Sequence, residues 1–190
     1  MPKLGMEAIR KAALIDAAIA MIGEAGSLDV TVSAIAKRAG VSGGLAHHYF
    51  GSKDQLFMGA MRHIMADYGA EVRAKLARAE TPLERAEGIV RAGFDSENFR
   101  RETISAWLNF YVLAQSSDDA ARLLRVYHAR LKSNLSYALR PLLGNNAPAA
   151  ARRLAAMIDG VYLHEGLSGA PEAARATAQV LSVLHREVGL

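Results

Sequence analysis

The feature that most constrains this chain is residues 31–53, which read TVSAIAKRAGVSGGLAHHYFGSK. Its first apolar residues recur at the spacing of one helix face: Val32, Ile35, Ala36 and Ala39. Gly40 permits the left-handed backbone that ends a helix, and Ser42 is a favourable cap for a second helix. Two short helices joined by such a tight turn predict a helix-turn-helix, whose second helix fits the major groove of DNA.

The charge of this stretch favours DNA contact locally. No acidic residue occurs between Val30 and Lys53, whereas Lys37, Arg38 and Lys53 are basic. Acids on either side leave residues 1–55 with six Lys/Arg against five Asp/Glu, a net charge of +1. The whole chain carries +4, which permits nucleic-acid binding but is too small for an architectural DNA-coating protein.

Composition indicates an all-α fold. A chain of 190 residues can bury a substantial core in one or two domains, and its five prolines fall at the edges of predicted elements. The chain has no cysteine, which excludes disulfides and thiolate zinc sites and fits a reducing cytoplasm. No apolar run reaches the roughly 18 residues that a membrane span needs, so we expect a cytoplasmic protein.

Caps and helical periodicity predict the helices. The first covers residues 7–25 and follows a short basic arm that contains Lys3. The fourth is long, residues 53–78, because Ser52 and Gln55 form a capping box and no proline interrupts it. Later helices are predicted over residues 82–95, 100–114, 118–143, 149–167 and 171–188. We assign residues 1–52 to a DNA-binding domain and residues 53–190 to a ligand-binding and dimerisation domain.

Apolar stripes on the last two helices predict a surface for a second copy of the chain. The stripe on helix 8 consists of Leu154, Met157, Ile158, Val161 and Tyr162. The stripe on helix 9 consists of Ala176, Val180, Val183 and Leu184. Such helices can pair with a twin subunit as a four-helix bundle. The same faces can also be buried inside a monomer, and the sequence leaves both alternatives open.

The motif and the helix pattern together resemble the TetR family of transcriptional repressors. The residues that carry this resemblance are Thr31, the run IAKRAGVS at 35–42, Gly44, Tyr49, Phe50 and Lys53. The segments MPKLGMEAIRK, HYFGSKDQL, FDSENF, AWLNFY and AAMIDGVYLHEGLSG are similar to the choline-responsive BetI group of this family, which represses glycine-betaine synthesis. The resemblance covers essentially the whole chain. It implies a TetR-like homodimer of about nine helices, in which the first three bind a palindromic DNA operator and helices 8 and 9 form the dimer surface.

The resemblance also implies which residues contact DNA. The phosphate-facing residues are Thr31, Ser33, Tyr49 and Lys53, and the base-facing residues are Gly43, Gly44, Leu45 and His47. Ser42 and His48 are also included, and for His48 support of the fold or a phosphate contact remains as open as a contact with a base. Many relatives have polar side chains at positions 43 and 45, and this chain departs from that pattern. We therefore expect His47 to be the main polar side chain that contacts a base and Leu45 to contact a thymine methyl group. At the two glycines, DNA shape should contribute more to recognition.

Choline is the effector that the resemblance implies, and no other cofactor is expected. A quaternary ammonium cannot donate a hydrogen bond and is best held by aromatic faces, often beside a carboxylate. The predicted ligand-binding residues are Trp107, Phe110, Tyr111, Asp159 and Tyr162, with Asp95 and Glu97 as further acids. Core packing remains the alternative for the aromatic residues, and a dimer seam is a further alternative for Tyr162. A multidrug-type sensor of other cationic or apolar molecules is the second hypothesis for the whole chain.

An enzyme is not expected. His164 and Glu165 match the start of a zinc-protease helix, but Ser168 stands where the second histidine ligand is needed. The chain also contains no P-loop, dinucleotide-binding or G-x-S-x-G motif. The predicted mechanism is negative coupling, in which choline shifts helix 4 and moves the recognition helices off their operator spacing. Reciprocity then requires DNA to weaken choline binding by the same factor.

Overall fold

The computed structural model describes residues 4–168 and 170–190, and all their regular elements are helical. The α-helices are α1 Leu4–Ala25, α2 Val32–Arg38, α3 Gly43–Phe50, α4 Lys53–Arg78, α5 Pro82–Gly93, α6 Arg101–Leu113, α7 Asp118–Leu143, α8 Ala147–Gly166 and α9 Ala173–Glu187. A short 3-10 turn, Gly144–Asn146, joins α7 to α8. The all-α prediction is confirmed. Among the described helices, none is both long and apolar enough to cross a bilayer.

The bounds of α4 agree with the prediction, but the ends of several other helices differ. Helix α1 begins at Leu4, so the end of the predicted basic arm is helical, and Lys3 lies outside the described residues. Helix α8 begins at Ala147 because Pro148 occupies its first turn, where the missing N–H of proline has no helical partner to lose. Helix α5 ends at Gly93 rather than at residue 95.

Side-chain caps explain where the helices around the helix-turn-helix begin. The Thr31 hydroxyl accepts a hydrogen bond from the Ala34 N–H at 3.1 Å, and the Ser42 hydroxyl accepts one from the Leu45 N–H at 3.3 Å. At α4 the Ser52 hydroxyl accepts from the backbone N–H three residues later, at 3.2 Å. Each such cap stabilises its helix by roughly 0.5–2 kcal/mol. Three consecutive short-range caps therefore place α2, α3 and the start of α4.

The chain forms two compact units. The N-terminal unit contains the residues up to Met65 together with Arg101–Val112, and the C-terminal unit contains Ala66–Arg100 and Leu113–Leu190. Helix α4 is continuous through this division and contributes residues to both units. The predicted domain boundary after residue 52 stays a prediction.

The core of the N-terminal unit joins α1, α2, α3 and the start of α4. Its buried residues are Leu14, Ala17, Ala18, Ile35, Ala36, Val41, Ala46 and Leu56. Helix α6 belongs to the same unit and approaches α1 closely. The Asn109 side-chain amide donates to the Gly26 carbonyl at 3.3 Å, and a Cβ atom at Gly23 would lie only 2.6 Å from Cα of Glu102. The absence of a side chain at Gly23 therefore permits this helix approach.

The C-terminal unit is built from α5, α7, α8 and α9, with α8 packed against both α7 and α9. Most residues of the two predicted dimer stripes are buried within the single chain: Leu154, Ile158, Val161, Tyr162, Ala176, Val180 and Leu184. These stripes therefore form the core of one subunit, which was the alternative left open. The outward faces of these helices carry exposed Ala156, Gly160 and His164 on α8 and exposed Ala178 and Ser182 on α9.

Candidate functional site

The turn between α2 and α3 has the conformation that the sequence predicts. Gly40 has φ +65°, and its N–H donates to the Lys37 carbonyl at 3.2 Å. The next residue, Val41, donates to the Ala36 carbonyl at 2.9 Å and is only 8% exposed. A left-handed residue followed by a buried one turns the chain sharply and anchors the start of α3 in the core. The helix-turn-helix is therefore held by both backbone geometry and packing.

The predicted base-facing side of α3 is partly exposed. Gly44 and His47 are exposed, whereas Gly43 and Leu45 are half-buried. A Cβ atom at either glycine would meet nothing within 4 Å, so packing inside the chain does not require glycine there. Leu45 packs partly against the core of the N-terminal unit, which leaves only part of its side chain for a thymine methyl group.

The two histidines of α3 differ in their local contacts. The Nδ1 atom of His47 lies 3.4 Å from the Gly51 carbonyl oxygen, so a proton on Nδ1 points at that oxygen. Nε2 then remains as an acceptor in the neutral ring and as a donor in the charged ring. His48 is exposed, and its ring centroid lies 5.7 Å from that of Tyr49. His47 is therefore the better oriented of the two for hydrogen bonding to a base edge.

The predicted phosphate-facing hydroxyls are used as helix caps. Thr31 and Ser42 each accept a backbone hydrogen bond, as described above, but the proton of each hydroxyl is still available to donate to a phosphate oxygen. Ser33 is exposed in the first turn of α2. Capping and phosphate binding are therefore compatible at the start of both helices.

The predicted cationic and aromatic phosphate contacts are positioned by neighbouring groups. Lys53 is exposed, and its Nζ atom donates to the Leu28 carbonyl at 3.2 Å. Tyr49 is half-buried, and Nζ of Lys11 lies 5.5 Å above its ring centroid, within cation–π range. Lys11 is a residue that the motif analysis missed, because it lies on α1 far from the motif in sequence.

One basic side chain of the motif is partly neutralised. Nη1 of Arg38 lies 2.6 Å from a carboxylate oxygen of Glu24, and hydrogen bonding from Arg38 lowers the pKa of Glu24. Glu24 precedes the motif in sequence but is brought to it by the packing of α1 on α2. The local positive charge is therefore smaller than residues 31–53 alone indicate, and Lys37 and Lys53 carry more of it.

The three predicted aromatic ligands of α6 all lie in the N-terminal unit. Phe110 is 0% exposed and makes edge contacts with Trp107 at 5.9 Å and Phe57 at 6.4 Å between ring centroids. Trp107 is buried, and its ring is 5.9 Å from that of the half-buried Tyr111. Phe110 has no exposed ring face, so its ring serves the core of this unit.

Tyr162 belongs to an aromatic cluster in the C-terminal unit. Its ring lies 5.4 Å from Phe99 and 6.4 Å from Phe94, and its hydroxyl donates to the Asn98 carbonyl at 2.7 Å. Asn98 in turn donates to the Ala92 carbonyl at 3.1 Å. Tyr162 thus ties α8 to the segment that follows α5. This packing accounts for its burial without a ligand or a second subunit.

The additional acids predicted near the end of α5 have local partners. Asp95 Oδ2 lies 4.0 Å from Nζ of Lys75, and Asp95 Oδ1 accepts from the Glu97 N–H at 3.3 Å. Lys75, Arg91 and Asp95 line an open groove of about 470 Å³ beside the start of α9. With two cations and one carboxylate among these three residues, the groove does not favour a positively charged ligand.

Asp159 lies in a different cluster, which sequence analysis found only in part. One of its carboxylate oxygens accepts from the Tyr127 hydroxyl at 3.1 Å, and the other lies 3.1 Å from Nε2 of His128. The Tyr127 ring lies 6.0 Å from that of Tyr68, with the planes tilted by 59°. Burial raises the pKa of Tyr68, and the negative charge of Asp159 raises it further. This cluster therefore combines a carboxylate with two tyrosine faces within the C-terminal unit.

The chain matches two family models. Residues 14–59 match the model described as bacterial regulatory proteins, tetR family. Residues 82–189 match the model described as BetI-type transcriptional repressor, C-terminal. Together the two models cover the helix-turn-helix and most of the C-terminal unit.

Known relatives agree with these matches. The chain is 52% identical over 182 residues to the HTH-type transcriptional regulator BetI of Brucella anthropi, with 95% of this chain and 94% of that protein covered. It is 48% identical over 172 residues to the protein of the same name from Agrobacterium fabrum, with 90% and 84% covered. These relatives are transcriptional regulators and not enzymes.

Solved structures of low sequence identity share the fold. A transcriptional regulator from Rhodococcus sp. Rha1 has a TM-score of 0.79 at 25% identity, with 93% of this chain and 96% of that chain covered. A transcriptional regulator from Saccharomonospora viridis in complex with choline has a TM-score of 0.80 at 19% identity, with 92% and 95% covered. At 19% identity the second likeness shows the fold alone.

Proposed function

Because this chain belongs to the TetR family of bacterial regulatory proteins and carries a BetI-type C-terminal domain, we propose that it is a cytoplasmic, choline-responsive repressor. It binds a palindromic operator as a homodimer and represses genes of choline uptake and glycine-betaine synthesis. The main observation that supports DNA binding is the exposed face of α3. This helix follows the left-handed turn at Gly40, in a stretch without acidic side chains.

In this proposal α3 enters the major groove with its N-terminal end towards the bases. His47 reads a base edge through Nε2, and the backbone at Gly43 and Gly44 approaches the DNA because no side chain intervenes. Thr31, Ser42 and the other capping or exposed groups described above donate to phosphates and set the register. DNA shape then contributes more to specificity than it does with polar side chains at positions 43 and 45.

The homodimer forms through the outward faces of α8 and α9. The exposed residues Ala156, Gly160, Ala178 and Ser182 are small, so helices from two subunits can approach closely along these faces. Twofold symmetry then presents two copies of α3 to major-groove segments about one helical turn apart. A monomeric protein at micromolar concentration, measured by sedimentation, would contradict this part of the proposal.

Choline relieves repression by negative coupling. The BetI-type domain and the carboxylate–aromatic cluster around Asp159 support a cationic effector. Helix α4 contributes residues to both compact units, so a shift of α4 on choline binding is the step that changes the spacing of the two α3 helices. Reciprocity requires DNA to weaken choline binding by the same factor, typically about 5–150-fold.

The test is fluorescence anisotropy of the purified protein on DNA from its own upstream region, at fixed salt, with and without millimolar choline. Salt is held constant because phosphate-dominated affinity falls steeply with ionic strength. We expect tight binding that choline weakens and that glycine betaine leaves unchanged. Tight binding that responds instead to larger cationic or apolar molecules in a ligand panel would favour the multidrug-type sensor.

Two substitutions separate base reading from phosphate binding. His47→Ala should weaken operator binding by about 1–3 kcal/mol and leave binding to unrelated DNA nearly unchanged. Lys53→Ala should weaken binding to both DNAs and reduce the salt dependence. Lys132→Ala is the matched control, because Lys132 is an exposed lysine on α7 and its loss changes the net charge equally. Equal losses from both lysine variants would contradict a specific phosphate contact at Lys53.

A further inference from the structure

Asp159 differs from the other shielded carboxylates of the C-terminal unit in its choice of partners. Glu165 is paired with Arg175 at 2.6 Å, Glu87 with His185 at 2.6 Å and also with Arg91 at 3.4 Å, and Asp95 lies 4.0 Å from Lys75. The side chain of Asp159 is only 20% exposed, yet within residues 4–168 and 170–190 no arginine or lysine forms an ion pair or a hydrogen bond with it.

The partners that Asp159 does have can leave its charge uncompensated. Tyr127 donates a neutral hydrogen bond, and His128 is a cation only when it is protonated. A shielded carboxylate is costly unless it is hydrogen-bonded and balanced by a positive charge. With neutral His128, Asp159 has hydrogen bonds but no counter-charge, so the cluster favours an added cation.

The aromatic rings beside Asp159 determine what kind of cation fits. The centroids of Tyr68 and Tyr127 are 6.0 Å apart, and the ring planes are inclined by 59°, so the two rings are neighbours but are not stacked face to face. A cation that faces both rings can lie within about 6 Å of each centroid, which is the range of cation–π attraction. A quaternary ammonium needs no acceptor lone pair, so the Tyr127 and His128 contacts with Asp159 can persist when it binds.

We propose that Asp159, Tyr68 and Tyr127 form the quaternary-ammonium subsite of the effector site, and that protonated His128 is the cation that competes with the effector for Asp159. This inference rests on the proposed choline response and adds where the ammonium group of choline binds. The predicted aromatic residues of α6 are not needed for this subsite.

The competition has a defined direction with pH. Three titratable groups of the described chain interact with Asp159, namely Tyr127 and His128 on α7 and Tyr68 on α4. Of these side-chain types, only an imidazole ordinarily changes charge between about pH 5 and 8. Effector binding next to a charged His128 places two cations at one carboxylate, so binding favours the neutral ring and releases a proton. Choline should therefore bind more tightly as pH rises.

The experiment is titration calorimetry of the purified protein with choline between pH 5.5 and 8.5, in buffers of different ionisation enthalpy. Wild type should release protons at the acidic end, and the Kd should fall as pH rises. His128→Gln removes the titrating group, so its Kd should be independent of pH and its binding should release no proton. A pH-independent wild-type Kd would overturn the role of His128.

Variants of the subsite give a second readout. Asp159→Asn should weaken choline binding by more than about 30-fold, since it removes the charge that faces the ligand. Tyr68→Leu should weaken it by roughly 2- to 30-fold, whereas Tyr68→Phe, which keeps the ring, should stay close to wild type. Tyr137→Leu is the matched control, because Tyr137 is a tyrosine of α7 with 76% exposure. Circular dichroism and operator binding without choline establish that each variant is folded.

The outcomes distinguish this inference from the proposed function. Operator release by choline that survives in folded Asp159→Asn and Tyr68→Leu would overturn the subsite and leave the choline-responsive repressor intact. Absence of choline binding to wild type at every pH would overturn both. Loss of binding in the Trp107→Leu variant alone would instead assign the cation to α6.

Discussion

The two compact units use their polar side chains in opposite ways. In the N-terminal unit, α3 presents His47 and the bare backbone of Gly44 to solvent, and the acid-free motif leaves these groups available for an external partner. In the C-terminal unit, the shielded carboxylates of Glu165 and Asp159 are bound by side chains of the same chain. In the function that we propose, DNA is therefore recognised by exposed groups, whereas the small cation is recognised by a shielded carboxylate that forms no ion pair with an arginine or lysine among the described residues.

In our proposal, aromatic residues show the same contrast between packing and recognition. Phe110 is enclosed by other rings of the N-terminal unit, whereas the half-buried Tyr127 has its hydroxyl bound to Asp159 and its ring beside Tyr68. Helical spacing marked Trp107 and Tyr111 as a candidate cage, yet the same spacing is produced by a core face. Only the identity of the neighbouring groups separates the two uses.

The largest expected effect is that of Phe110→Ala. Removal of a fully buried phenyl ring should destabilise the protein by about 3–5 kcal/mol, through lost apolar burial and the cavity left behind. Urea unfolding followed by Trp107 fluorescence measures this loss. Tyr137→Ala on the exposed face of α7 is the control and should change stability by less than about 0.5 kcal/mol. A stable Phe110→Ala variant that no longer responds to choline would show that Phe110 contributes to the effector site and not to the stability of the core.

A smaller loss is expected for Gly23→Ala, which tests the approach of α6 to α1. The new methyl group would lie 2.6 Å from Cα of Glu102, a backbone atom that cannot move aside as a side-chain end can. The resulting strain should cost about 1–3 kcal/mol and exceed the helix propensity gained from alanine. Thermal unfolding measures the difference. Unchanged stability would mean that α6 does not approach α1 so closely in solution.

Arg175→Met tests the paired carboxylate that contrasts with Asp159. Hydrogen bonding from Arg175 lowers the pKa of Glu165 against the opposing effect of burial. When the pKa of a carboxylate is lower in the folded state than in the unfolded state, the ionised carboxylate stabilises the folded protein at pH values above the unfolded pKa of about 4.5. This contribution is lost as the pH falls through the folded pKa.

The variant should therefore unfold at lower urea concentration than wild type at pH 7, and the difference should shrink by pH 3. Arg122→Met, which removes an exposed pair with Asp119 on α7, should change the midpoint little at either pH. A constant difference across this pH range would show that Arg175 acts through packing and not through the charge of Glu165.

The smallest effect on stability is expected for Gly44→Ala, and its sign is opposite to that of Gly23→Ala. The new methyl group meets nothing within 4 Å, so alanine should stabilise the protein by up to about 1 kcal/mol through helix propensity. Operator affinity should nevertheless fall, because the methyl group stands between the backbone and the DNA. Thermal unfolding and anisotropy measure the two quantities separately. Unaltered operator affinity would contradict a close approach of the DNA to the backbone at this glycine.

The helices, the turn and the caps were predictable from sequence because each is set by residues a few positions apart. Gly40 and Ser42 act on the backbone within four residues, and the bounds of α4 follow from Ser52 at one end and the absence of proline along its length. The exposed positions of α3 were predictable for the same reason, since the apolar stripe of α2 and the turn determine which residues face outward.

Contacts between distant residues decided the rest. Glu24 reaches Arg38 across 14 positions, Tyr127 reaches Asp159 across 32, and Asn109 reaches Gly26 across 83. No periodicity links such pairs, because their proximity depends on how helices pack rather than on spacing along one helix. The sequence by itself determined the helical class, the turn and the outward face of α3. Tertiary packing alone decided that the stripes of α8 and α9 are internal, that α6 packs on α1, and which side chains surround Asp159.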